Sequence, residues 1–558
     1  MRLRLLALAS LFAALAPSAR AAACGGLFCS TAPVVQAGEE IVYALEDDGS
    51  LTMSVRLFYS GTDTDIAWIL PLPAPPEITI GSTALFTQLR AATAPTFIVS
   101  RSTVGVCRVE PSCVSADGYP AYSGGCGYSA GGGGGWMGGY VDAGAPRDAS
   151  SVTPWDSGGL PDGGVVVFSE DTVGPYDTVV LGAASASEVT SWLSTHGYQL
   201  PSGTSAILDH YATSSHVFIA LRLAPGHTTN EIAPITMHLP VPAPCLPIRL
   251  TALATAPDLP ITAWFLGRAR VVPTNFSMVE PTYADERFWT QPGFYSTQMT
   301  REITAAGGQA FVTEYAGPTP AVSVELAPLG DTSHLSASEL IAELLARGTF
   351  ATQADALRIV GAHVSPPSPM TLVAWLNCLS RGFSAPSGCG ATSSADLPGL
   401  LAQCETEIFA PRRAAQAMID SHPYVTRLFT SMSAAKMTLD PEFRSDPALH
   451  DVPAVHEERV VTQCDASHYR SDAPSTTSIG GTIVRSTPGV LADDASYCHA
   501  RGLYLPSERT TPPPAHHSLC GCRAGHGRAG PWLYALALGA LGWGRSLRRR
   551  RRHARRAG

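Results

Sequence analysis

The stretch EEIVYALEDDGSLTMSVRLFYS, residues 39–60, carries the clearest structural pattern in the chain. Two runs rich in apolar residues, 39–45 and 51–59, flank the polar residues EDDGS, and this arrangement predicts a β-hairpin. From Leu51 onward, apolar and polar residues alternate along the second run. Because side chains of a strand point to opposite faces in turn, this period of two predicts a half-buried antiparallel strand.

Outward from this hairpin, the pattern indicates further short strands up to about residue 330 and mostly helices from there to about residue 437. Two helix starts carry a capping box, in which a serine is followed three residues later by a glutamate. These boxes pair Ser185 with Glu188 and Ser336 with Glu339. The sequence therefore predicts an α+β fold, with an antiparallel β-rich body, a helical C-terminal region and disulfide bonds.

Composition and pattern divide the chain into seven predicted segments. They are a signal peptide at 1–23, an N-terminal β-rich region at 24–116, a Gly-rich flexible insertion at 117–164, a β-rich region with one helix at 165–330, a mainly helical region at 331–460, a Ser/Thr/Pro-rich linker or stalk at 461–519, and a Cys motif with a short transmembrane segment and an Arg cluster at 520–558.

The charge of the chain is unevenly distributed. The 558 residues carry a net charge of −9, yet 13 of the 37 basic residues lie in 1–23 and 520–558, where Asp and Glu are absent. Residues 24–519 therefore hold 24 basic and all 46 acidic residues, a net charge of −22. Because an acidic body repels phosphate backbones, we expect no nucleic-acid partner. The mean hydropathy of +0.10 excludes a polytopic membrane protein.

The N-terminus has the pattern of a secretory signal peptide. Arg2 and Arg4 precede an apolar run, and alanines fill positions 21–23 before Cys24. A charged start, an apolar core and an A-x-A site together predict export and cleavage. The apolar run is short for an N-terminal membrane anchor. Lipidation of Cys24 is an open alternative, although Ala21 stands where a lipobox usually has leucine.

The C-terminus combines three features: Cys520 and Cys522, the apolar residues 531–543, and a run of arginines. The run consists of Arg548, Arg549, Arg550, Arg551 and Arg552. This order resembles the MYXO-CTERM sorting signals of myxobacterial surface proteins. The resemblance implies transient retention in the inner membrane by the sorting machinery, cleavage near the cysteines and transfer to the surface of a Gram-negative cell. A permanent membrane anchor is the alternative, with the arginines held on the cytoplasmic side.

The chain has 13 cysteines, and an exported protein meets an oxidising compartment, so disulfides are expected. Short spacings indicate bridges within three groups, although spacing alone does not fix the connectivity. The groups are Cys24 with Cys29, then Cys107, Cys113 and Cys126, and finally Cys378, Cys389 and Cys404. Cys464 and Cys498 have no close partner in sequence. No C-x-x-C pair or suitably spaced histidine pair predicts a zinc site.

Motifs for catalysis and cofactor binding are weak. Residues 127–131 fit G-x-S-x-G with Ser129 in the centre, and residues 133–138 fit G-x-G-x-x-G, but both lie in the Gly-rich insertion without the strand and helix that such motifs need. Aspartates at 47, 48, 63 and 65 are read as turn residues rather than Ca²⁺ ligands. We therefore expect no catalytic motif, no resident metal and no cofactor.

Several blocks of the sequence resemble an uncharacterised exported bacterial family, the domain of unknown function 2330. The similar blocks, which together cover roughly residues 24–460, are 24–29, 33–43, 67–73, 173–177, 192–198, 308–316, 428–433 and 437–443. The resemblance implies export and a shared fold, and no established activity comes with it.

These observations favour a non-enzymatic binding or structural module of the cell surface or outer envelope, with an unidentified surface ligand. The first alternative is an exported hydrolase whose site is assembled from dispersed residues, with candidates Asp209, His210, His216, His238 and Glu314. A polysaccharide- or Ca²⁺-dependent adhesin is the second alternative. A pocket that gathers His210 or His216 with carboxylates would favour the hydrolase, whereas their separation would favour binding.

Overall fold

The computed structural model describes residues 27–29, 35–60, 66–115, 164–196, 200–214, 216–224, 232–241, 244–381, 386–392 and 394–508. The expected signal peptide, Cys24, Cys126, Ser129 and the C-terminal segment with Cys520 and Cys522 lie outside these residues, as does most of the expected insertion.

The strands are numbered in chain order. They are Leu27–Cys29 (β1), Val35–Leu45 (β2), Leu51–Ser60 (β3), Ile66–Leu72 (β4), Glu77–Ile80 (β5), Thr96–Val104 (β6), Val166–Val173 (β7), Tyr176–Gly182 (β8), Val217–Leu223 (β9), Ile235–Leu239 (β10), Leu259–Gly267 (β11), Val271–Pro273 (β12), Ser277–Val279 (β13), Ala310–Pro318 (β14), Val364–Ser365 (β15), Ser394–Ala395 (β16), Tyr424–Met432 (β17), Phe443–Ser445 (β18), Val455–Gln463 (β19), Ser475–Ile479 (β20) and Thr482–Thr487 (β21).

The α-helices are numbered in the same way. They are Thr83–Thr93 (α1), Ala186–Thr195 (α2), Thr204–Thr213 (α3), Arg287–Thr290 (α4), Phe294–Ala305 (α5), Ala337–Ala346 (α6), Gln353–His363 (α7), Leu372–Ser380 (α8), Leu397–Cys404 (α9), Ala410–Ser421 (α10) and Asp494–His499 (α11).

The hairpin predicted from residues 39–60 is confirmed and lies inside an eight-stranded sheet. Strands β2 and β3 pair antiparallel, and Gly49 in the turn between them has a φ of +85°, a conformation that glycine adopts without steric cost. The strand order is β13-β14-β17-β11-β2-β3-β10-β5. Two neighbouring pairs, β11 with β2 and β13 with β14, are parallel, and the other pairs are antiparallel.

A second, five-stranded antiparallel sheet packs against the first. Its order is β1-β4-β9-β8-β7. The main core lies between the two sheets, where Tyr43 and Met53 of the first sheet belong to the same buried cluster as Val180 and Ile219 of the second. Two sheets that bury their facing side chains in this way form a β-sandwich.

Helices cover the outer face of each sheet. Helices α2 and α3 pack on the five-stranded sheet, around Leu181 and Phe218. Helices α1 and α10 pack on the eight-stranded sheet, around Trp264 and Val425. On the polar face of β3, Ser54 is buried, and its hydroxyl hydrogen-bonds Thr236 (2.7 Å). Thr52 and Arg56 on the same face are partly exposed, so this face of the strand is covered only in part.

The helices α6 to α9 form a separate apolar cluster. The two capping boxes predicted from sequence are confirmed at α2 and α6, and Thr352 with Asp355 forms a third at α7. The mainly helical stretch ends at Ser421, after which β17 returns to the eight-stranded sheet. The α+β fold class predicted from the sequence is confirmed.

The stretch predicted as a linker or stalk, 461–519, is folded as far as the structure describes it. Strands β20 and β21 form a hairpin and continue a four-stranded sheet of order β21-β20-β19-β6. Helix α11 follows, with Asp493 as its N-cap. The Ser/Thr-rich composition is explained by the strands β20 and β21, since β-branched threonine suits a pleated surface.

The chain divides into two compact units. Within the described ranges, the larger unit comprises residues 27–105, 164–464 and 473–489, and the smaller unit comprises 106–115, 465–472 and 490–508. In its described residues the smaller unit has a core of its own, formed by Cys113, Tyr469, Tyr497 and Cys498. Arg108 pairs with Asp494 across this unit (2.6 Å).

One disulfide, Cys378–Cys389, falls within an expected local group, and another, Cys113–Cys498, does not. Cys113 bonds Cys498, 385 residues further along the chain, because the smaller unit brings these distant segments together. Cys107 and Cys464 are also disulfide-bonded. Cys378 bonds Cys389, whereas Cys404, expected as a candidate in the same group, is a buried free thiol within the apolar helix cluster.

In the part of the chain that the structure describes, none of the helices has both the length and the apolar character needed to span a bilayer.

The long-range disulfide gives the first prediction. We expect the double variant Cys113→Ser/Cys498→Ser to lower the free energy of unfolding of the smaller unit by about 2–4 kcal/mol, because its unfolded segments gain conformational freedom. Faster backbone hydrogen exchange at residues 490–508 is the measurement.

The matched control is Cys378→Ser/Cys389→Ser, whose bond spans 11 residues in the larger unit. This control should leave exchange at 490–508 unchanged. Equal exchange in the wild type and in Cys113→Ser/Cys498→Ser would contradict the prediction.

Candidate functional site

A cavity of about 630 Å³ lies on the outer face of the eight-stranded sheet, in the larger unit. Its lining residues come from the start of β6, from β11, β14 and β17, and from α4 and α5. In β17, Leu428 points into the sandwich core, so its neighbours Arg427 and Phe429 point to the opposite face. Together with Thr262 and Glu314, these two residues form the sheet side of the cavity.

A β-bulge aims Glu314 into this site. Thr313 pairs with Leu428, and the next pair joins Tyr315 to Arg427, so Glu314 is an extra residue on β14. A bulge of this kind redirects a side chain within an otherwise regular sheet. The Oε2 atom of Glu314 lies 2.5 Å from Nε of Arg427, and the two side chains are only 2% and 9% exposed. They form a buried ion pair beside the cavity.

Neighbouring groups hold Arg427 in place. Its Nη1 donates a hydrogen bond to the backbone carbonyl of Arg90 at 3.3 Å, and its guanidinium lies 5.2 Å from the ring centre of Trp264. Trp264 in turn donates its Nε1–H to the hydroxyl of Thr93, at 2.9 Å. The C-terminal turn of α1 and the sheet therefore position the guanidinium together.

Aromatic side chains form one wall of the cavity, with Phe97 at its centre. Its ring centroid lies 5.5 Å from that of Phe288, 5.3 Å from Trp289, 5.9 Å from Tyr295 and 5.2 Å from His456. Such offset and edge-on contacts stabilise aromatic groups beyond the area that they bury. The four rings that line the cavity, Phe97, Phe288, Trp289 and Tyr295, are called the aromatic wall below, whereas His456 contacts Phe97 without lining the cavity.

Two features position the wall. Gly293, the N-cap of α5, has a φ of +84°, which allows the sharp turn between α4 and α5. Helix α5 then buries Phe294, Met299 and Ile303 against β14 and β17. These contacts fix Trp289 and Tyr295 on either side of the exposed rim residues 291–293.

Burial controls the protonation of the groups around the cavity. Burial, together with the negative charge of Glu314, raises the pKa of Tyr295 well above its usual value, so this phenol stays protonated. Burial lowers the pKa of His456, which favours the neutral imidazole. The Nε1–H of Trp289 is buried and makes no hydrogen bond within the described residues. A bound acceptor would satisfy this donor.

Of the five residues considered for a dispersed hydrolase site, the cavity gathers only one, Glu314. Asp209 and His210 lie on α3, and His216 precedes β9. His238 lies on β10, where its Nδ1 is 3.2 Å from the hydroxyl of Thr52.

The surroundings of His216 are explained by packing. Its ring lies edge-on to Tyr211, with 5.4 Å between centroids, and burial lowers its pKa. The hydroxyl of Tyr211 donates to Asp440 (2.7 Å), whose other oxygen accepts from the N–H groups of Ile248 (2.8 Å) and Arg249 (3.1 Å). Asp440 thus fastens the segment before the short helical turn at 251–253 to α3, which is a structural role.

The acidic turn residues also have protein partners. Asp47 pairs with Arg268, and Asp48 accepts hydrogen bonds from the N–H and hydroxyl of Ser50 (2.9 and 2.6 Å). Within the described ranges, no group of three or more His, Cys, Asp or Glu side chains has an arrangement that could hold a metal ion. Asp63 and Asp65 lie outside these ranges.

The aromatic wall and Arg427 were not predicted from the sequence. Residues 283–295 contain five aromatic side chains, and this density is a sequence signal for an aromatic cluster. Phe97 and Arg427 reach the same cavity through tertiary packing, and no local pattern connects them with that segment.

A separate buried acid lies inside the sandwich. Glu39 is on the face of β2 that also carries Tyr43, and Gln36 donates a hydrogen bond to it at 3.0 Å. Burial raises its pKa to about 7, and the hydrogen bond from Gln36 opposes this shift only in part. The folded chain therefore binds a proton here in a pH range where the unfolded chain has released it.

We expect this proton to make stability depend on pH. The folded pKa of Glu39 is about 7 and the reference value is 4.5. Its contribution to the free energy of unfolding is therefore complete below pH 4.5 and is lost as the pH rises to 7, by about 3 kcal/mol in total. Glu39→Gln should remove this fall, measured by urea denaturation between pH 4.5 and 7.5.

The lowered pKa values of His216 and His456 make the free energy of unfolding rise with pH, opposite to the effect of Glu39. The difference between the wild-type and Glu39→Gln curves is therefore the quantity compared. Glu40→Gln, on the opposite face of the same strand, is the control and should retain the fall. Parallel curves for the wild type and Glu39→Gln would contradict the assignment.

The buried ion pair gives another prediction. Arg427→Leu leaves Glu314 buried without its counter-charge, so we expect the free energy of unfolding to fall by about 3–5 kcal/mol. The double variant Glu314→Leu/Arg427→Leu should recover most of this loss, since neither charge remains buried. Arg268→Leu removes an exposed ion pair and should change stability little. A double variant no more stable than Arg427→Leu would argue against the pair.

Comparison with known proteins identifies a family. The family described as "Uncharacterized protein conserved in bacteria (DUF2330)" matches residues 18–373, which include Phe97, Trp289 and Glu314. The resembling blocks at 428–433 and 437–443, and Arg427, lie beyond the match. No curated protein and no solved structure matches the chain. Because the match covers more than half of the sequence, the chain belongs to the DUF2330 family of bacterial proteins.

Proposed function

We propose that this chain is an exported, disulfide-bonded protein of the bacterial cell surface that binds a ligand in the cavity beside Glu314 and Arg427. The observation that carries the proposal is the combination, in one cavity, of an aromatic wall and a buried ion pair. Small-molecule sites typically have volumes of about 300–1,000 Å³ and combine mostly apolar walls with a few placed polar groups. The cavity has both properties.

The sequence and the disulfides support export. The N-terminal pattern of 1–23 is typical of a signal peptide, and the bonds Cys113–Cys498 and Cys378–Cys389 are typical of an oxidising compartment. The segment 520–558 resembles a sorting signal, which supports delivery to the surface after cleavage near Cys520 and Cys522.

Binding has more support than hydrolysis. Among the described residues that line the cavity, Glu314 is the one carboxylate, and it is paired with Arg427. General acid–base hydrolysis commonly needs a second ionisable group within reach of the substrate. The histidines considered for that role lie on other elements of the fold.

Cell fractionation with protease shaving tests the location. We expect the wild-type protein in the surface-exposed fraction and a variant without residues 520–558 in the periplasm or medium. Mass spectrometry of surface material should find a C-terminus that ends near Cys520. Recovery of the protein in the cytoplasm would contradict export, and recovery of intact Arg555 and Arg556 from the surface would contradict processing.

Co-sedimentation with isolated cell envelopes tests the binding. We expect the purified protein to sediment with envelope fragments and Trp289→Ala to remain in the supernatant, because that change removes a lining ring of the cavity. Tyr504→Ala, at an aromatic side chain that is 42% exposed in the smaller unit, is the matched control and should sediment like the wild type. Equal sedimentation of wild type and Trp289→Ala would refute the cavity as the binding site.

A further inference from the structure

The chemistry of the cavity restricts the class of ligand. The aromatic wall is packed rather than open, because the Phe97 ring is within 6 Å of five neighbouring rings. The space between these rings is therefore filled by Phe97, and the wall offers an aromatic surface instead of an empty cage. A cage that surrounds a quaternary ammonium group needs that space.

The charges at the floor also select against ions. Glu314 and Arg427 lie 2.5 Å apart and together contribute no net charge. A cationic ligand is attracted by Glu314 and repelled by Arg427. An anionic ligand is attracted by Arg427 and repelled by Glu314. A group that both donates and accepts hydrogen bonds, such as a hydroxyl, suits the two partners equally.

Other polar groups reinforce this preference. The hydroxyl of Thr262 lies on the floor, and Gln291 and Ser296 lie at the exposed rim. The buried Nε1–H of Trp289 makes no hydrogen bond within the described residues and offers a donor beside the aromatic surface. An acceptor on the ligand that reaches this donor gains a hydrogen bond that the free protein lacks, and a wholly apolar ligand has no such gain.

A pyranose ring has the matching properties: hydroxyl groups around its rim, no charge, and a flat patch of C–H groups that packs on an aromatic ring. We propose that the cavity binds a neutral pyranose oligosaccharide, with one sugar ring stacked on the aromatic wall and hydroxyls directed to Glu314, Arg427 and Trp289. The inference rests on the proposed binding function and names the ligand class of the same cavity.

Isothermal titration of the purified protein tests the ligand class, with three neutral probes: cellotetraose, maltotetraose and chitotetraose. We expect saturable binding of at least one of them. Trp289→Ala should weaken that binding about tenfold or more, because it removes both the stacking surface and the donor. Trp289→Phe keeps a ring and loses only the N–H, so its loss should be smaller.

Tyr504→Ala is the control and should bind like the wild type, and circular dichroism of each variant checks that it is folded. Tetramethylammonium and inorganic phosphate serve as charged comparison probes. Failure of all three oligosaccharides to bind would overturn the inference, as would binding that Trp289→Ala leaves unchanged.

The outcomes separate the two proposals. If tetramethylammonium or phosphate binds in place of the oligosaccharides and Trp289→Ala abolishes that binding, the ligand class is wrong while the cavity remains a binding site. If an oligosaccharide binds at Trp289 but the protein is found in the cytoplasm, the ligand class stands and the surface location fails.

Discussion

The central constraint on this fold is that the middle of the eight-stranded sheet is covered on both faces. One face meets the five-stranded sheet, and the other meets helices α1, α5 and α10. Polar side chains in this covered part therefore need partners within the protein, because burying an unpaired polar group costs free energy. The Ser54–Thr236 contact, the Trp264–Thr93 hydrogen bond and the Glu314–Arg427 pair all meet this need. The cavity forms where the helical cover of the outer face is incomplete.

Local patterns predicted the elements whose stability is local. The β2–β3 hairpin and the boxes at Ser185 and Ser336 depend on residues a few positions apart, and a sequence displays those directly. The polar face of β3 is covered in part by segments far along the chain, which bury Ser54 and leave Thr52 and Arg56 partly exposed. Alternation reports which residues share a face, and it does not report what packs on that face.

The site was less predictable from the sequence, because its residues are brought together by packing between distant segments. Glu314 was considered only as one of several scattered acids, and its importance comes from a bulge that displaces the pairing of β14 with β17 by one residue. Phe97, Trp289 and Arg427 meet although more than 100 residues separate each from the next. The core of the smaller unit also combines residues that are distant in sequence, because it joins Cys113 to Cys498. Short spacings favoured local cysteine pairs, and Cys378–Cys389 is one, but tertiary packing pairs Cys113 with a distant partner.

The Cys113–Cys498 bond closes most of the polypeptide into a covalent ring. Residues 114–497 lie within it, including the Gly-rich stretch 131–135 and the strands from β7 to β21. A single peptide-bond cut anywhere in that ring leaves both resulting pieces joined through the sulfur atoms. A protein on the outside of a cell meets secreted proteases, and a nick in this ring would not release a fragment. The part of the chain after residue 498, which carries the expected sorting segment, would stay attached to β1 through β6.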